Sequence, residues 1–261
     1  MAGKRPNILI FMVDEERYPV CYETEEIKKW RRKNFKAQEW FREHGIEFHR
    51  HYAGSAACVP SRATIFTGQY PSLHGVTQTT GTAKESSDPD VFWLDPATVP
   101  TMGDYFRAGG YRTYYRGKWH VSHADITMPG THTALHSYDD NGRPVKKVID
   151  LYRRADRLND FGFSGWIGPE PHGSAKANTG TNRDPGFAKE TIELIDELDA
   201  EQKRSAGDLA SARSTTSASD AVTSTRAIWS DGTGSMACFT MTAMGDDAVN
   251  GGAPAIISYA T

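Results

Sequence analysis

The sequence is poor in cysteine, in long apolar runs and in any excess of charge of one sign. Its three cysteines, Cys21, Cys58 and Cys238, lie far apart and form no C-x-x-C pair, which argues against a disulfide framework or a structural zinc site. The net charge is only −3, so no basic excess points to nucleic acid as a partner. No membrane is indicated as a partner either, because the apolar runs are far shorter than a membrane span.

The N-terminus carries no recognisable leader. Residues 1–6 run directly into a short apolar segment that is too short to cross a membrane, and no signal cleavage pattern follows it. We therefore expect a soluble, cytoplasmic protein unless a leader precedes the sequence. The oligomeric state stays open.

The first apolar run predicts a buried strand that ends in acids. Residues 7–13 read Asn-Ile-Leu-Ile-Phe-Met-Val and are followed by Asp14 and Glu15. A continuous apolar run suits a strand buried on both faces, as in a parallel sheet covered by helices. The acids then lie at the strand's carboxyl end, where open α/β sheets bind ligands. The alternative is that Asp14 begins a turn or caps a helix.

The following pattern alternates helices with strands. We predict helices over 24–44, from Thr101 and over 187–200, strands over 46–52 and 111–115, and loops over 77–96 and 121–186. Thr24 is a typical N-cap, and Asp104 stands where a capping box needs an acid. This alternation indicates an α/β fold, and the strand over 111–115 delivers a second polar group to the sheet edge.

Six residues are candidates for chemistry at that edge. They are two acids, a cysteine and three basic residues: Asp14, Glu15, Cys58, Arg62, Lys118 and His120. Carboxylates suit a hard divalent cation, Arg and Lys bind tetrahedral oxyanions, and His transfers protons near neutral pH. Sulfuryl or phosphoryl transfer needs such a set. By itself, Cys58 reads more simply as a small buried thiol at a loop-to-helix junction.

Three stretches resemble the type I sulfatases. The segment Cys58-Val59-Pro60-Ser61-Arg62, followed by Gly68, resembles the signature of that family. Residues 7–14 resemble its opening strand, and the stretches Gly-Gly-Tyr-Arg-Thr at 109–113 and Gly-Lys-Trp-His at 117–120 resemble its second signature region. The resemblance is close over about residues 5–120 and looser to about residue 200.

The resemblance implies a fold and an activity. The fold is alkaline-phosphatase-like, with a mixed, mostly parallel sheet flanked by helices, and the activity is hydrolysis of a small sulfate ester. A formylglycine-generating enzyme oxidises Cys58, and the hydrated aldehyde attacks sulfur, after which sulfate leaves and the aldehyde re-forms. Arg62 holds the hydrate, while Lys118 and His120 contact the ester.

A divalent metal, normally Ca²⁺, is also implied, with Asp14, Glu15 and the modified Cys58 as its ligands. Most members of the family have Asp where Glu15 stands. Relatives that hydrolyse phosphonate monoesters or phosphodiesters carry another oxygen donor there, so that activity is the alternative. His172 is a candidate substrate-binding residue, with a plain loop histidine as its other interpretation, and His74 is similarly open.

The domain organisation departs from the family. Type I sulfatases are typically much longer, and their remaining metal ligands lie in their later part. After residue 204 the composition shifts to Ala, Ser, Thr, Gly and Asp without a clear period. We predict a truncated sulfatase region over 1–204 and an atypical tail over 205–261, which is disordered or translated in a shifted reading frame. A further alternative is therefore an inactive fragment.

Overall fold

The computed structural model describes residues 7–14, 19–80, 84–171, 180–205, 244–245 and 255–260. Its strands are β1 (Ile8–Val13), β2 (Tyr111–Arg112), β3 (Met244–Gly245) and β4 (Ala255–Ala260). Its helices are α1 (Glu25–Asn34), α2 (Lys36–His44), α3 (Cys58–Thr67), α4 (Pro71–His74), α5 (Met102–Ala108), α6 (Lys146–Ala155) and α7 (Gly180–Ser205), with a 3₁₀ turn at Asn159–Phe161.

Strand β1 is buried on both faces, as its apolar run predicts. Leu9 and Phe11 pack with Phe187 of α7, whereas Ile10 and Met12 point into the main core. Successive side chains of a strand face opposite sides, so a strand between two packed layers needs apolar residues throughout. Burial on both faces fixes the position of the carboxyl end of β1.

The four strands form two pairs in the described ranges. Strand β1 pairs in parallel with β4, with Ile8 opposite Ala255 and Val13 opposite Ala260. Strand β2 pairs antiparallel with β3. The chain thus combines helices with strands, while the larger, mostly parallel sheet stays a prediction. Both β3 and β4 lie in the segment 205–261, where the sequence indicates no regular period.

Three predicted elements differ in the structure. The segment predicted as a loop over 121–186 contains the 3₁₀ turn, the beginning of α7 and the whole of α6, because Val148 and Ile149 give α6 an apolar side that packs on the main core. The helix predicted over 24–44 is interrupted at Phe35, where the Asn34 side chain donates to the Trp30 carbonyl oxygen and competes with the helical bonds. The strand predicted over 46–52 is wrong. Its apolar members are exposed, and alternation alone creates no strand without a neighbouring strand to pair with.

The capping and strand signals around residue 110 are largely confirmed. Thr101 and Asp104 form a complete capping box at the start of α5. Strand β2 is shorter than the predicted 111–115, but the extended chain continues. The Thr113 carbonyl oxygen accepts from the Ser164 amide, and the Ser164 carbonyl oxygen accepts from the Tyr115 amide.

An aromatic cluster holds the segment after β2 against α3. Trp119 is fully buried, and its ring centroid lies 4.8 Å from that of Phe66 in α3. Tyr115 and Phe161 flank Trp119 at 5.3 and 5.2 Å. Each such aromatic pair contributes about 0.5–1.5 kcal/mol beyond its buried area. The cluster therefore holds the segment that contains residues 118 and 120 against α3.

Gly162 and Gly142 form a matched pair for testing this packing. Both have a positive φ, but a Cβ at Gly162 would overlap the backbone of Gly103 and Asp104, whereas a Cβ at Gly142 meets nothing within 4 Å. Gly142→Ala should cost about 1–2 kcal/mol from the left-handed backbone alone. Gly162→Ala should cost at least about 2 kcal/mol more because it also overpacks. If urea unfolding shows that both variants lose the same free energy of unfolding, the close contact of Gly162 with Gly103 and Asp104 is contradicted.

Candidate active site

The structure brings together five of the residues that the sequence singles out. Asp14 follows the carboxyl end of β1, Cys58 and Arg62 lie in the first turns of α3, and Lys118 and His120 follow β2. Cys58 and Arg62 are four positions apart and share one face of the helix. The two segments meet α3 because the aromatic cluster and β1 both pack against it.

Asp14 is the centre of a buried ionic network. Its Oδ1 accepts from Arg62 Nη2 at 3.0 Å, and its Oδ2 accepts from Lys118 Nζ at 2.7 Å. The Arg62 side chain is fully buried, and Arg62 Nη1 also donates to the Lys118 carbonyl oxygen at 2.7 Å. One carboxylate thus ties together three segments that are distant in sequence.

The network carries more positive than negative charge. Burial opposes the ionisation of Asp14, but the charges of Arg62 and Lys118 outweigh it and lower the pKa of the carboxyl. Asp14 is therefore ionised at neutral pH, and two cations face one carboxylate. Removing one partner from a buried ion pair typically costs about 3–5 kcal/mol. The remaining positive charge favours an anion nearby.

Cys58 is the first residue of α3 and touches two polar groups. Its Sγ lies 3.1 Å from Thr79 Oγ1 and 3.4 Å from His120 Nδ1. Ala57 is the N-cap and supplies no side-chain hydrogen bond to the helix. The amide groups and the dipole at this end of a helix favour negative charge. The side chain of residue 58 therefore lies both at the N-terminus of a helix and in contact with a histidine.

His120 is held on both sides of its ring. The Nε2 atom lies 2.8 Å from Thr80 Oγ1, while Nδ1 faces the sulfur of Cys58. The residue is buried and has a φ of +53°, a left-handed conformation that is uncommon outside glycine. The residue whose ring contacts Cys58 thus also has an uncommon backbone conformation.

Sequence reasoning missed three residues around His120. Thr79 and Thr80 fall in a segment that reads as a surface loop, since neighbouring hydroxyl residues carry no spacing signal. Glu170 lies in the stretch Gly-Pro-Glu-Pro-His, where the sequence drew attention only to His172. Burial and then the Asp125 carboxylate raise the pKa of Glu170 to about 8. The predicted residues Glu15 and His172 lie outside the described ranges.

His74 has a structural role. Its Nδ1 accepts from the Val76 amide at 3.1 Å, so its Nε2 carries the proton and donates to Thr64 Oγ1 at 3.1 Å. One ring nitrogen therefore bonds within the loop that follows α3, and the other ties this loop to Thr64 of α3. Burial lowers the pKa of this histidine, which keeps the ring neutral.

The described residues alone do not provide a Ca²⁺ site. Ca²⁺ takes six to eight oxygen ligands, and in the described ranges no three His, Cys, Asp or Glu side chains are grouped to hold a metal. Asp14 is the acid nearest the predicted position, and both its oxygens are paired with Arg62 and Lys118. A metal here needs further ligands, and Glu15 is the predicted one.

A comparison with protein families finds a match over most of the chain. The family model named Sulfatase matches residues 6–199, about three quarters of the chain. The chain belongs to the sulfatase family. The resemblance found in the sequence is thereby confirmed, and the site described above lies within the matched residues.

Individual sulfatases are similar over shorter stretches. The chain is 33% identical over 130 residues to the uncharacterized sulfatase YidJ of Escherichia coli (strain K12), covering 49% of this chain and 22% of YidJ. It is 30% identical over 116 residues to the human N-acetylglucosamine-6-sulfatase, covering 44% and 19%. For the pig N-acetylgalactosamine-6-sulfatase the identity is 30% over 97 residues, covering 37% and 18%. The matched part thus spans about a fifth of each relative.

The helices of the described ranges were also compared with the requirements of a membrane span. None of them is both long enough and apolar enough to cross a bilayer.

The neutral state of His74 predicts a pH dependence of stability. Its pKa is lower in the folded state, so the unfolded chain binds a proton first as pH falls below about 6.5. The free energy of unfolding should therefore drop between about pH 7 and pH 5. His74→Asn keeps an acceptor for the Val76 amide but cannot titrate, so it should flatten this drop. His132→Asn, at an exposed loop position, is the control.

Urea unfolding at several pH values measures both variants. A His74→Asn curve as steep as that of the unaltered chain would show that His74 does not carry the effect.

Proposed function

We propose that this chain provides the nucleophile and the anion-binding side of a sulfuric ester hydrolase. The observation that carries the proposal is the buried network in which Arg62 and Lys118 face the single carboxylate of Asp14, next to Cys58 at the start of α3. A sulfate ester carries a tetrahedral anionic group, and preorganised cations stabilise the charge that develops on it. Membership of the sulfatase family supports this reading.

Residue 58 is the proposed nucleophile. A formylglycine-generating enzyme that recognises Cys-x-Pro-x-Arg would convert Cys58, and the aldehyde hydrate would supply the attacking hydroxyl. Arg62 lies one helical turn away and keeps its charge at any pH. Lys118 supplies a point charge for the ester oxygens. His120, at 3.4 Å from the sulfur, is the group that holds or moves a proton at residue 58.

The metal and the full fold are further parts of the proposal. Asp14, Glu15 and the modified residue 58 would contribute to binding Ca²⁺ or another divalent cation, together with ligands beyond the described residues. The family supports an alkaline-phosphatase-like, mostly parallel sheet flanked by helices, and the parallel pair of β1 and β4 agrees with it. The family match ends at residue 199, which supports a boundary near residue 204.

The substrate class is a small sulfate monoester. Several relatives are named as 6-sulfatases of N-acetylhexosamines, so such sugars are suitable probes beside an aryl sulfate. The second candidate function is hydrolysis of phosphonate monoesters or phosphodiesters. It is favoured by Glu15, which replaces the Asp that most type I sulfatases have at that position.

Anion binding tests the cationic site without depending on turnover. Inorganic sulfate should raise the melting temperature of the chain in buffers of matched ionic strength, since a ligand that binds only the folded state stabilises it. Lys118→Met should weaken sulfate binding by about tenfold or more, because it removes a charge-assisted contact. Lys29→Met, on the exposed side of α1, is the matched control. An unchanged affinity in Lys118→Met would overturn the assigned role.

Turnover distinguishes the two candidate reactions. The chain is co-expressed with a formylglycine-generating enzyme, and mass spectrometry measures the aldehyde at residue 58. We expect the highest rate with an aryl sulfate, lower rates with a phosphodiester and a phosphonate ester, and none in Cys58→Ala. An aryl sulfate that is the poorest substrate would favour the second function.

The overall rate tests the alternative of an inactive fragment. The sequence predicts three metal ligands, Asp14, Glu15 and residue 58, which are fewer than the six to eight that Ca²⁺ takes, so we expect little turnover from the 261-residue chain alone. Robust Ca²⁺-dependent turnover would contradict that expectation.

A further inference from the structure

Glu170 binds the backbone on which the active-site histidine stands. Its side chain is buried, and its two oxygens accept from two consecutive amides. Oε2 lies 3.0 Å from the Trp119 nitrogen, and Oε1 lies 2.7 Å from the His120 nitrogen. The backbone N–H groups of Trp119 and His120 therefore both point towards the side chain of Glu170.

The backbone of His120 needs such support. Its φ of +53° lies in the left-handed region, which costs a residue with a Cβ about 1–2 kcal/mol. Unfavourable conformations of this kind persist only where the surroundings hold them. Successive amides around a left-handed residue form a concave hydrogen-bonding site, and the two side-chain oxygens of Glu170 occupy it.

Glu170 is itself anchored. Its own amide donates to Asp125 Oδ1 at 2.8 Å. Glu170 in turn bonds to the backbone of His120. The Nδ1 atom of His120 lies 3.4 Å from Cys58 Sγ, and its Nε2 atom lies 2.8 Å from Thr80 Oγ1. A continuous set of contacts thus runs from the loop before residue 172 to the sulfur of Cys58.

We propose that Glu170 is a positioning residue, whose two side-chain oxygens hold His120 in the left-handed conformation that keeps its imidazole against residue 58. The proposal rests on the proposed function only in taking residue 58 as the nucleophile. Glu170 contacts the histidine through its backbone, so it sets the place of the imidazole without taking part in proton transfer.

The reactivity of the unmodified thiol tests this directly. The chain is prepared without the formylglycine-generating enzyme, and alkylation by iodoacetamide at neutral pH is followed by mass spectrometry of each cysteine peptide. His120 Nδ1 lies 3.4 Å from the sulfur and can take the thiol proton as the sulfur reacts, so His120→Ala should slow the alkylation of Cys58. Glu170→Ala should slow it about threefold or more, which is typical of contacting residues. Cys21, an exposed cysteine, is the internal control.

The conservative variant and a double variant separate positioning from general damage. Glu170→Gln keeps one acceptor and the size of the side chain, so it should retain a rate between those of the unaltered chain and Glu170→Ala. In the His120→Ala background, Glu170→Ala should have no further effect on Cys58. If Glu170→Ala does not fold, as judged by circular dichroism, the same comparisons are made with Glu170→Gln.

Three results would overturn the proposal. They are an unchanged Cys58 rate in the Glu170 variants, an equal slowing in the His120→Ala background, and no effect of His120→Ala itself. No turnover is measured, so a failure of the proposed sulfatase activity leaves this test intact. Conversely, a negative result here leaves the binding of sulfate by Lys118 untouched.

Discussion

The arrangement of the site depends on one carboxylate. Asp14 accepts from Arg62 and from Lys118, and it thereby joins the end of β1, the start of α3 and the segment after β2. Because the network is buried, each ion needs the others, and none of the three segments can shift alone without leaving a charge unpaired. The same network leaves net positive charge beside Cys58, which suits an anionic substrate.

The aromatic cluster around Trp119 packs next to this ionic network and stabilises its position. Trp119 lies between Lys118 and His120 in the sequence. Because its ring packs against Phe66 of α3, it fixes the position of both neighbouring residues relative to this helix. Close packing transmits displacement, so a void under Trp119 would move the cationic side chains as well as cost stability. Apolar packing and site geometry are thus linked through one residue.

Local signals in the sequence predicted local structure well. The apolar run of β1 and the capping box of Thr101 with Asp104 need only neighbouring residues, and both are confirmed. The helix over 24–44 and the strand over 46–52 were less well predicted. Their outcome depends on a side-chain bond of Asn34 and on the absence of a paired neighbour at residues 46–52, and neither is visible in a hydrophobic pattern.

The sequence by itself determined the family and the side chains that form the ionic network, because the motif around Cys58 and the stretch at 117–120 are short, contiguous and distinctive. Only the tertiary structure decided what surrounds them. Thr80 and Glu170 reach His120 from 40 and 50 positions away, and no spacing rule connects residues so far apart. The left-handed backbone of His120 lies at that long-range contact, so it becomes visible only when the chain has folded.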